Sequence, residues 1–298
     1  MDLVRLKSLR ELARTGTMAA AAESLHLTPS AISQQIAQLE REMDIALTER
    51  QGRGVRLTPA GEALAAHTER IMVVLDEARS DVARLKREVA GELRVAAFPS
   101  VAAAVMPGVV KAMRSAFPRL QIVLEAMEPP DGLAALGSWQ ADVALIDDLS
   151  VVPGPGQLRY GIVPLTDDTL HALLPARHGL AGKAALSIAD LRDEDWAIDS
   201  ASSTYGEYVV GLCRRAGYEP RVNARCKGFE MVSAMVASGA SVSIVPGLLL
   251  ARPVPGAKAV RLRPDVRRRI SAAYRRGEQN HPAVTAFLDQ LLRATSKL

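Results

Sequence analysis

Thr28-Pro29-Ser30-Ala31-Ile32-Ser33-Gln34-Gln35-Ile36-Ala37-Gln38-Leu39-Glu40-Arg41-Glu42-Met43 is the stretch on which the reading of this chain turns. Thr28 is a good N-cap, and Pro29 suits the first helical position, where its missing N–H costs nothing; together they open a helix. Ile32, Ile36, Leu39 and Met43 recur at i, i+4, i+7 and i+11 and form one apolar face. The opposite face carries Ser30, Gln34, Ala37 and Arg41, flanked by Ser33 and Gln38. Short hydroxyls and amides suit a major groove. Gln bonds an adenine edge through both groups, Ser reaches base or phosphate, and Ala touches a thymine methyl. A plain three-helix bundle with a solvated face remains the alternative at this point.

Upstream, Leu3, Leu6, Leu9 and Leu12 predict a first helix, which Thr15-Gly16-Thr17 breaks. Met18, Ala21, Ala22 and Leu25 predict a short second helix, and His26-Leu27-Thr28 a tight turn. A short second helix, a tight turn and a polar third helix match the helix-turn-helix plan. Downstream, segments 46–50 and 55–57 read as two strands around Gln51-Gly52-Arg53-Gly54. Arg50, Arg53 and Arg56 place cations where a wing reaches phosphates or a narrow minor groove. An ordinary surface hairpin is the competing reading.

The ordered run Ala19-Ala20-Ala21-Ala22-Glu23-Ser24-Leu25, Thr28 to Ile36, Leu39-Glu40, Arg50 and Leu57-Thr58-Pro59-Ala60-Gly61 resembles the LysR-type family of bacterial transcription regulators. The resemblance implies DNA contacts at Thr28, Pro29, Ser30, Ser33, Gln34 and Arg53, to which the groove-facing and wing positions add Gln38 and Arg50. The family usually has Gly where Asp44 stands and Phe where Thr48 stands, and often an aromatic in place of Leu9 and Met18. We read these as packing positions.

Thr58-Pro59 repeats the cap-and-proline start. Leu64, Thr68, Ile71, Leu75, Ala78, Val82, Leu85 and Val89 alternate in steps of four and three, an a/d seam with one polar member. A helix of about 30 residues spans about 45 Å, too long to bury its stripe on a small head. The partner expected is the same helix of a second chain, giving a homodimer; packing on its own chain is the alternative. In the family this helix is the dimerising linker. Gly91 is expected to end it.

Beyond Gly91 the pattern changes to β/α alternation, which predicts mostly parallel sheets. The fold class expected is α/β overall: a winged helix-turn-helix (1–58), a linker helix (59–90) and an effector-binding domain (91–298). The last divides into subdomain I (about 91–164 and 266–298) and subdomain II (about 165–265), resembling a periplasmic-binding-protein fold. Ligands of such sheets bind beyond strand ends, near helix starts. Phe98-Pro99-Ser100-Val101 and Ser200-Ala201-Ser202-Ser203-Thr204 are the two starts, with plain helix capping as their other reading. Glu128 can face the same cleft. By resemblance, effector contacts fall on Ser100, Asp147, Ser202 to Thr204 and Phe229. The effector expected is a small molecule bearing a carboxylate, with Asp147 or Glu128 free to accept an amine.

Bulk properties bound the rest. The net charge of +4 does not fall on the head: residues 1–90 hold 13 basic and 13 acidic residues, 91–251 hold 13 and 17, and 252–298 hold 11 and 3. The arginines from Arg261 to Arg276, among them Arg268 and Arg275, read as a solvated face or an interface. No apolar run reaches the roughly 18 residues of a membrane span and no signal peptide is evident, so a cytoplasmic protein without a membrane partner is expected. Cys213 and Cys226 make neither a disulfide framework nor a zinc site. No nucleophile elbow, Walker loop or zinc-protease motif occurs. No enzyme, metal or cofactor is therefore expected. The expectation is a ligand-responsive regulator, with a solute-binding protein as the alternative and an enzyme further behind. Its partners would be double-stranded DNA at an interrupted palindrome, the effector, RNA polymerase and further copies, as a homotetramer.

Overall fold

The computed structural model describes residues 1–52, 54–86, 88–151, 159–199 and 203–296. The head contains α1 (Leu3–Thr15), α2 (Met18–Ser24), α3 (Pro29–Met43) and the antiparallel hairpin β1 (Thr48–Gln51) and β2 (Gly54–Leu57). Thr17, Thr28 and Thr58 each cap the helix that follows, accepting from Ala20, Ala31 and Gly61 N–H groups. Leu9, Leu12, Ala21, Ile32, Ile36, Leu39 and Leu47 form the head's core. Met43 falls outside that apolar face and is 39% exposed, because α3 ends there.

Three motif positions have local causes. The Glu40 carboxylate accepts from the Leu47 and Thr48 N–H groups, both at 2.9 Å, and from the Thr48 hydroxyl, tying α3 to the wing. Gly61 lies against the Leu47 carbonyl, so closely that a Cβ would stand 2.1 Å from the oxygen. Asp44 caps α3 with φ at 52°, in the left-handed region. This corrects the sequence reading: the family's glycine here is a matter of backbone conformation, not packing.

Helix α4 (Pro59–Leu85) is shorter than expected. The Lys86 N–H turns back to the Ala83 carbonyl, Glu88 pairs with Arg119, and Val89 packs on the body, which pulls the chain off the helix axis before Gly91. The helix carries two stripes. Gly61, Ala65, Thr68, Met72, Asp76 and Ser80 are buried against the rest of the same chain. A second, exposed stripe holds Ile71, Val82 and Leu85 of the a/d seam, whereas the seam members Thr68 and Leu64 lie in the buried stripe and against the head's core.

The body holds β3 (Gly91–Ala97), α5 (Pro99–Ala104), α6 (Met106–Ala116), β4 (Leu120–Ala126), α7 (Pro129–Gly137), β5 (Val143–Asp147), β6 (Tyr160–Pro175) and β7 (Ala185–Leu186). There follow β8 (Asp195–Asp199), α8 (Ser203–Arg215), β9 (Arg221–Cys226), α9 (Phe229–Ala237), β10 (Ser243–Pro246), β11 (Ala257–Leu262), β12 (Arg267–Arg275) and α10 (Pro282–Thr295). α5 and α6 are two helices rather than one, since Pro107 supplies no N–H to continue the first.

The sheet is mixed rather than mostly parallel. β3 is parallel to β4 and β5, but β12 is antiparallel to β5 and β6, and β10 and β11 are antiparallel to β6. The cause is β6. Its sixteen residues pair with β12 in the first lobe and continue to pair with β10 and β11 in the second. The chain crosses along β6 and returns through β12, so the two crossing segments run in opposite directions. One apolar core packs α6 and α10 on β3 and β5, and another gathers around Trp196, Leu170 and Ile244.

Candidate DNA interface and effector cleft

On α3, Ser30, Ser33 and Gln34 are exposed on the side opposite Ile32 and Ile36, with Thr28 and Pro29 exposed at its start. The Thr28 hydroxyl lies 2.9 Å from that of Ser30 while capping the helix. Gln38 is half-buried and engaged within α3, accepting from Arg41 and donating to Glu42 at 3.3 Å. Gln35 faces inward and accepts from the Ser8 hydroxyl. On the wing Arg50 is exposed, whereas Arg56 is paired across the hairpin with Glu49. Arg53 lies outside the described residues. The structure thus leaves Thr28, Pro29, Ser30, Ser33 and Gln34 exposed together along α3, with Gln38 at their margin and Arg50 exposed on the wing.

Between the lobes, Phe98, Ser100, Glu128, Asp147, Asp199, Tyr205, Phe229 and Arg268 line a cavity of only about 10 Å³, about the room one water needs. Three of the expected residues, Ser100, Glu128 and Asp147, come from ends of different elements in the first lobe. Phe229, the first residue of α9, comes from the second and meets Tyr205 edge to face at 5.5 Å. Val101 does not join them: it is buried in the apolar core with Val95 and Leu145. Thr204 is half-buried in the first turn of α8 and Ser203 begins that helix, while residues 200–202, with the candidate Ser202, lie outside the described residues.

The centre of the cleft is Arg268, which the sequence reading assigned to a solvated face or an interface. It is 3% exposed. Its guanidinium donates to Asp168 at 2.9 and 3.0 Å, to Asp147 at 3.2 Å and to the Ser100 hydroxyl at 2.7 Å. The rings of Phe98 and Tyr205 stand 5.0 and 5.9 Å from it. Arg268 and Asp168 are direct cross-strand partners on the two crossing strands. Each aspartate also ties a loop: Asp147 accepts from the Ser150 N–H, Asp168 from Leu248 and Asp199 from Gly228. Burial pushes the Tyr205 phenol far above its ordinary range, so it stays neutral. The cleft therefore sets the carboxylates of Asp147 and Asp168 on one guanidinium, with Glu128 and Asp199 also on its lining.

Arg275 is the second arginine that the sequence misplaced. Buried, it donates to Asp76 of α4 at 3.1 Å, to Asp142 at 3.1 Å and to Glu278 at 2.6 Å. Burial also pushes the thiols of Cys213 and Cys226 up, which keeps them protonated and poorly reactive. Among the described residues no group of His, Cys, Asp or Glu is arranged to hold a metal ion, and no helix is long and apolar enough to cross a membrane.

The geometry has counterparts among known proteins. The model of the bacterial regulatory helix-turn-helix protein, lysR family, matches residues 3–62, and that of the LysR substrate binding domain matches residues 86–296. The transcriptional dual regulator GltC of Bacillus subtilis (strain 168) is 25% identical over 303 residues, covering 100% of this chain and 99% of its own. The HTH-type regulator TcbR of Pseudomonas sp. (strain P51) is 27% identical over 298 residues, 99% of each chain. Among solved structures, full-length CbnR in complex with its target DNA is 25% identical with a TM-score of 0.56, covering 99% of this chain and 100% of that one. Full-length OxyR C199D from Pseudomonas aeruginosa, 21% identical, supports the fold with a TM-score of 0.67 over 98% of this chain and 94% of its own. Matched along both head and body, the chain belongs to the LysR family: it is a ligand-responsive, DNA-binding transcriptional regulator and not an enzyme.

Proposed function

We propose that two copies pair along α4 and present two copies of α3 to the halves of an interrupted palindromic operator. Thr28, Pro29, Ser30, Ser33, Gln34 and Gln38 meet base edges or flanking phosphates, and the wing arginines Arg50 and Arg53 reach the adjacent backbone. The observation that carries this reading is the second stripe of α4, where Ile71 is 41%, Val82 57% and Leu85 82% exposed. Beside it runs a groove of about 540 Å³ lined by Leu75, Ala78, Val82 and Ala83 of α4 and Ala283 of α10. An apolar row of that length facing water is what a symmetric helix pair covers. Further pairing through the bodies makes a homotetramer that acts in the cytoplasm and meets RNA polymerase at the promoter. Sedimentation should give a dimer or tetramer at micromolar concentration, and Val82→Asp with Leu85→Asp should give a monomer with at least tenfold weaker binding to the chain's own upstream DNA. A monomeric parent that binds this DNA equally well refutes the pairing.

The effector enters between the lobes and carries an ammonium or guanidinium group. The cleft lining carries the carboxylates of Glu128 and Asp147 together with Phe98, Tyr205 and Phe229, whose aromatic faces attract cations. Asp147 and Glu128 are the acceptors, as the amine half of the sequence expectation has it. A carboxylate finds Arg268 as its cationic partner among the described lining residues, and must loosen the Asp147 or Asp168 pair to reach it. Calorimetry with the matched set 1,4-diaminobutane, butane-1,4-diol and succinate separates these: heat from the diamine alone supports the cationic reading, and heat from succinate alone restores the carboxylate.

A further inference from the structure

We propose that α7, with the loop that follows it, couples the effector cleft to the DNA-binding head of the same chain; this rests on the regulator reading and specifies how its two sites communicate. The nine-residue helix has one end at each site. Glu128, its N-cap, lines the cleft. Its body packs on β5, whose last residue, Asp147, holds Arg268. At the other end the Gly137 carbonyl accepts from Arg10 of α1 at 2.7 Å. The Trp139 ring lies 4.4 Å from that guanidinium and 5.6 Å from Lys7, and its indole N–H donates to Asp76 of α4 at 3.0 Å. Gln140 donates to the Ser24 carbonyl at 2.6 Å and touches the His26 ring at 3.0 Å. Ser24 ends α2 and His26 lies in the turn that delivers the chain into α3.

A helix of nine residues is a rod about 13 Å long, and a displacement of one end is carried to the other. The loop is held in one shape rather than trailing. Trp139 sits at φ 62°, a conformation that bulky residues rarely adopt. A Cβ on Gly137 would lie 2.8 Å from the Tyr160 hydroxyl, and Arg275 clamps the Leu136 and Ala141 carbonyls on either side. The docking leaves Ser30, Ser33 and Gln34 exposed. It therefore fixes how the head is aimed, without covering its reading face.

Coupling between two sites is reciprocal, so DNA can serve as the probe while the effector is unidentified. Hydrogen exchange is measured on the full chain with and without its upstream DNA. In the parent, DNA should change exchange at residues 98–101 and 147–151 at least threefold. In Gln140→Ala, and in Gln140→Ala combined with Trp139→Leu, DNA affinity should stay within threefold while the cleft response disappears. The single variant keeps the test valid if the double variant fails to fold. A cleft response that persists undiminished in Gln140→Ala, or none in the parent, overturns the proposal. Failure of the parent to shift the DNA in a gel would instead strike the DNA-binding reading beneath it, before any exchange is measured.

Discussion

Replacing Arg268 by Met removes a buried cation while keeping much of its bulk. The guanidinium makes four hydrogen bonds, to Asp168 twice, to Asp147 and to Ser100. After the change Asp147 retains the Ser150 N–H and Asp168 the Leu248 N–H, but both carboxylates stay buried without a counter-charge. Breaking a buried pair in this way costs about 3–5 kcal/mol. For a body of roughly 200 residues that is a drop in melting temperature of about 6–20 °C. Urea and thermal unfolding followed through tryptophan fluorescence read it directly, since Trp196 is fully buried in the second lobe. Adding Asp168→Asn removes one stranded charge, so the double variant should recover about 1–2 kcal/mol relative to Arg268→Met alone. A single variant that loses less than about 1 kcal/mol, or a second change that only adds further loss, would refute the assignment of Arg268 as the charge that closes the cleft.

Other consequences are independent of the cleft. Asp44→Gly should stabilise the head by up to about 1 kcal/mol, because glycine adopts the left-handed cap without strain; unfolding of residues 1–58 alone, if that fragment folds, or of the full chain measures it. Gly61→Ala should cost about 1–3 kcal/mol, since backbone rather than a flexible side chain opposes the new Cβ, and an unchanged melting temperature would contradict the close approach. Burial pushes the Glu278 carboxyl up to about 7 from the ordinary 4.5, so the folded chain holds a proton that the unfolded chain releases. Its contribution is complete below about pH 4.5 and is lost as pH rises through about 7; the stability difference between parent and Glu278→Gln should shift by about 3 kcal/mol over that window, and parallel pH profiles would exclude the buried acid. Ser33→Ala with Gln34→Ala should weaken operator binding at least tenfold and relax its sequence preference; an unchanged gel shift would remove α3 from the reading face.

Much of the head was legible because its signals are local. Thr28-Pro29 and Thr58-Pro59 mark two helix starts within two residues each, and the Ile32, Ile36 and Leu39 spacing announces its own burial. The cleft was half legible. Ser100, Glu128, Asp147 and Phe229 stand at ends of elements, which periodicity locates. Arg268 was not, because its partners lie 100, 121 and 168 residues away. Within a run of arginines nothing local separates the buried one from neighbours such as Arg267 and Arg269, which pair at the surface with Asp265 and Asp167. The early part of β6 is hard to read from sequence for a related reason. Pro164 and the Asp167-Asp168 pair argue against a strand unless one knows that Asp168 faces an arginine across the crossing. Asp44 was legible as a departure from the family but misread in cause, since a dihedral angle leaves no mark on composition.

The long shared strand β6 carries a practical corollary for anyone dissecting this molecule. Because its pairing continues from one lobe into the other, with a single irregularity opposite Ile270 and Ser271, no cut within it leaves two intact pieces, and each half expressed alone would expose a torn sheet margin prone to self-association. Under limited proteolysis the body should withstand division and melt as a unit. Bending between the lobes must then occur by twisting this common beam rather than by parting at a loose joint.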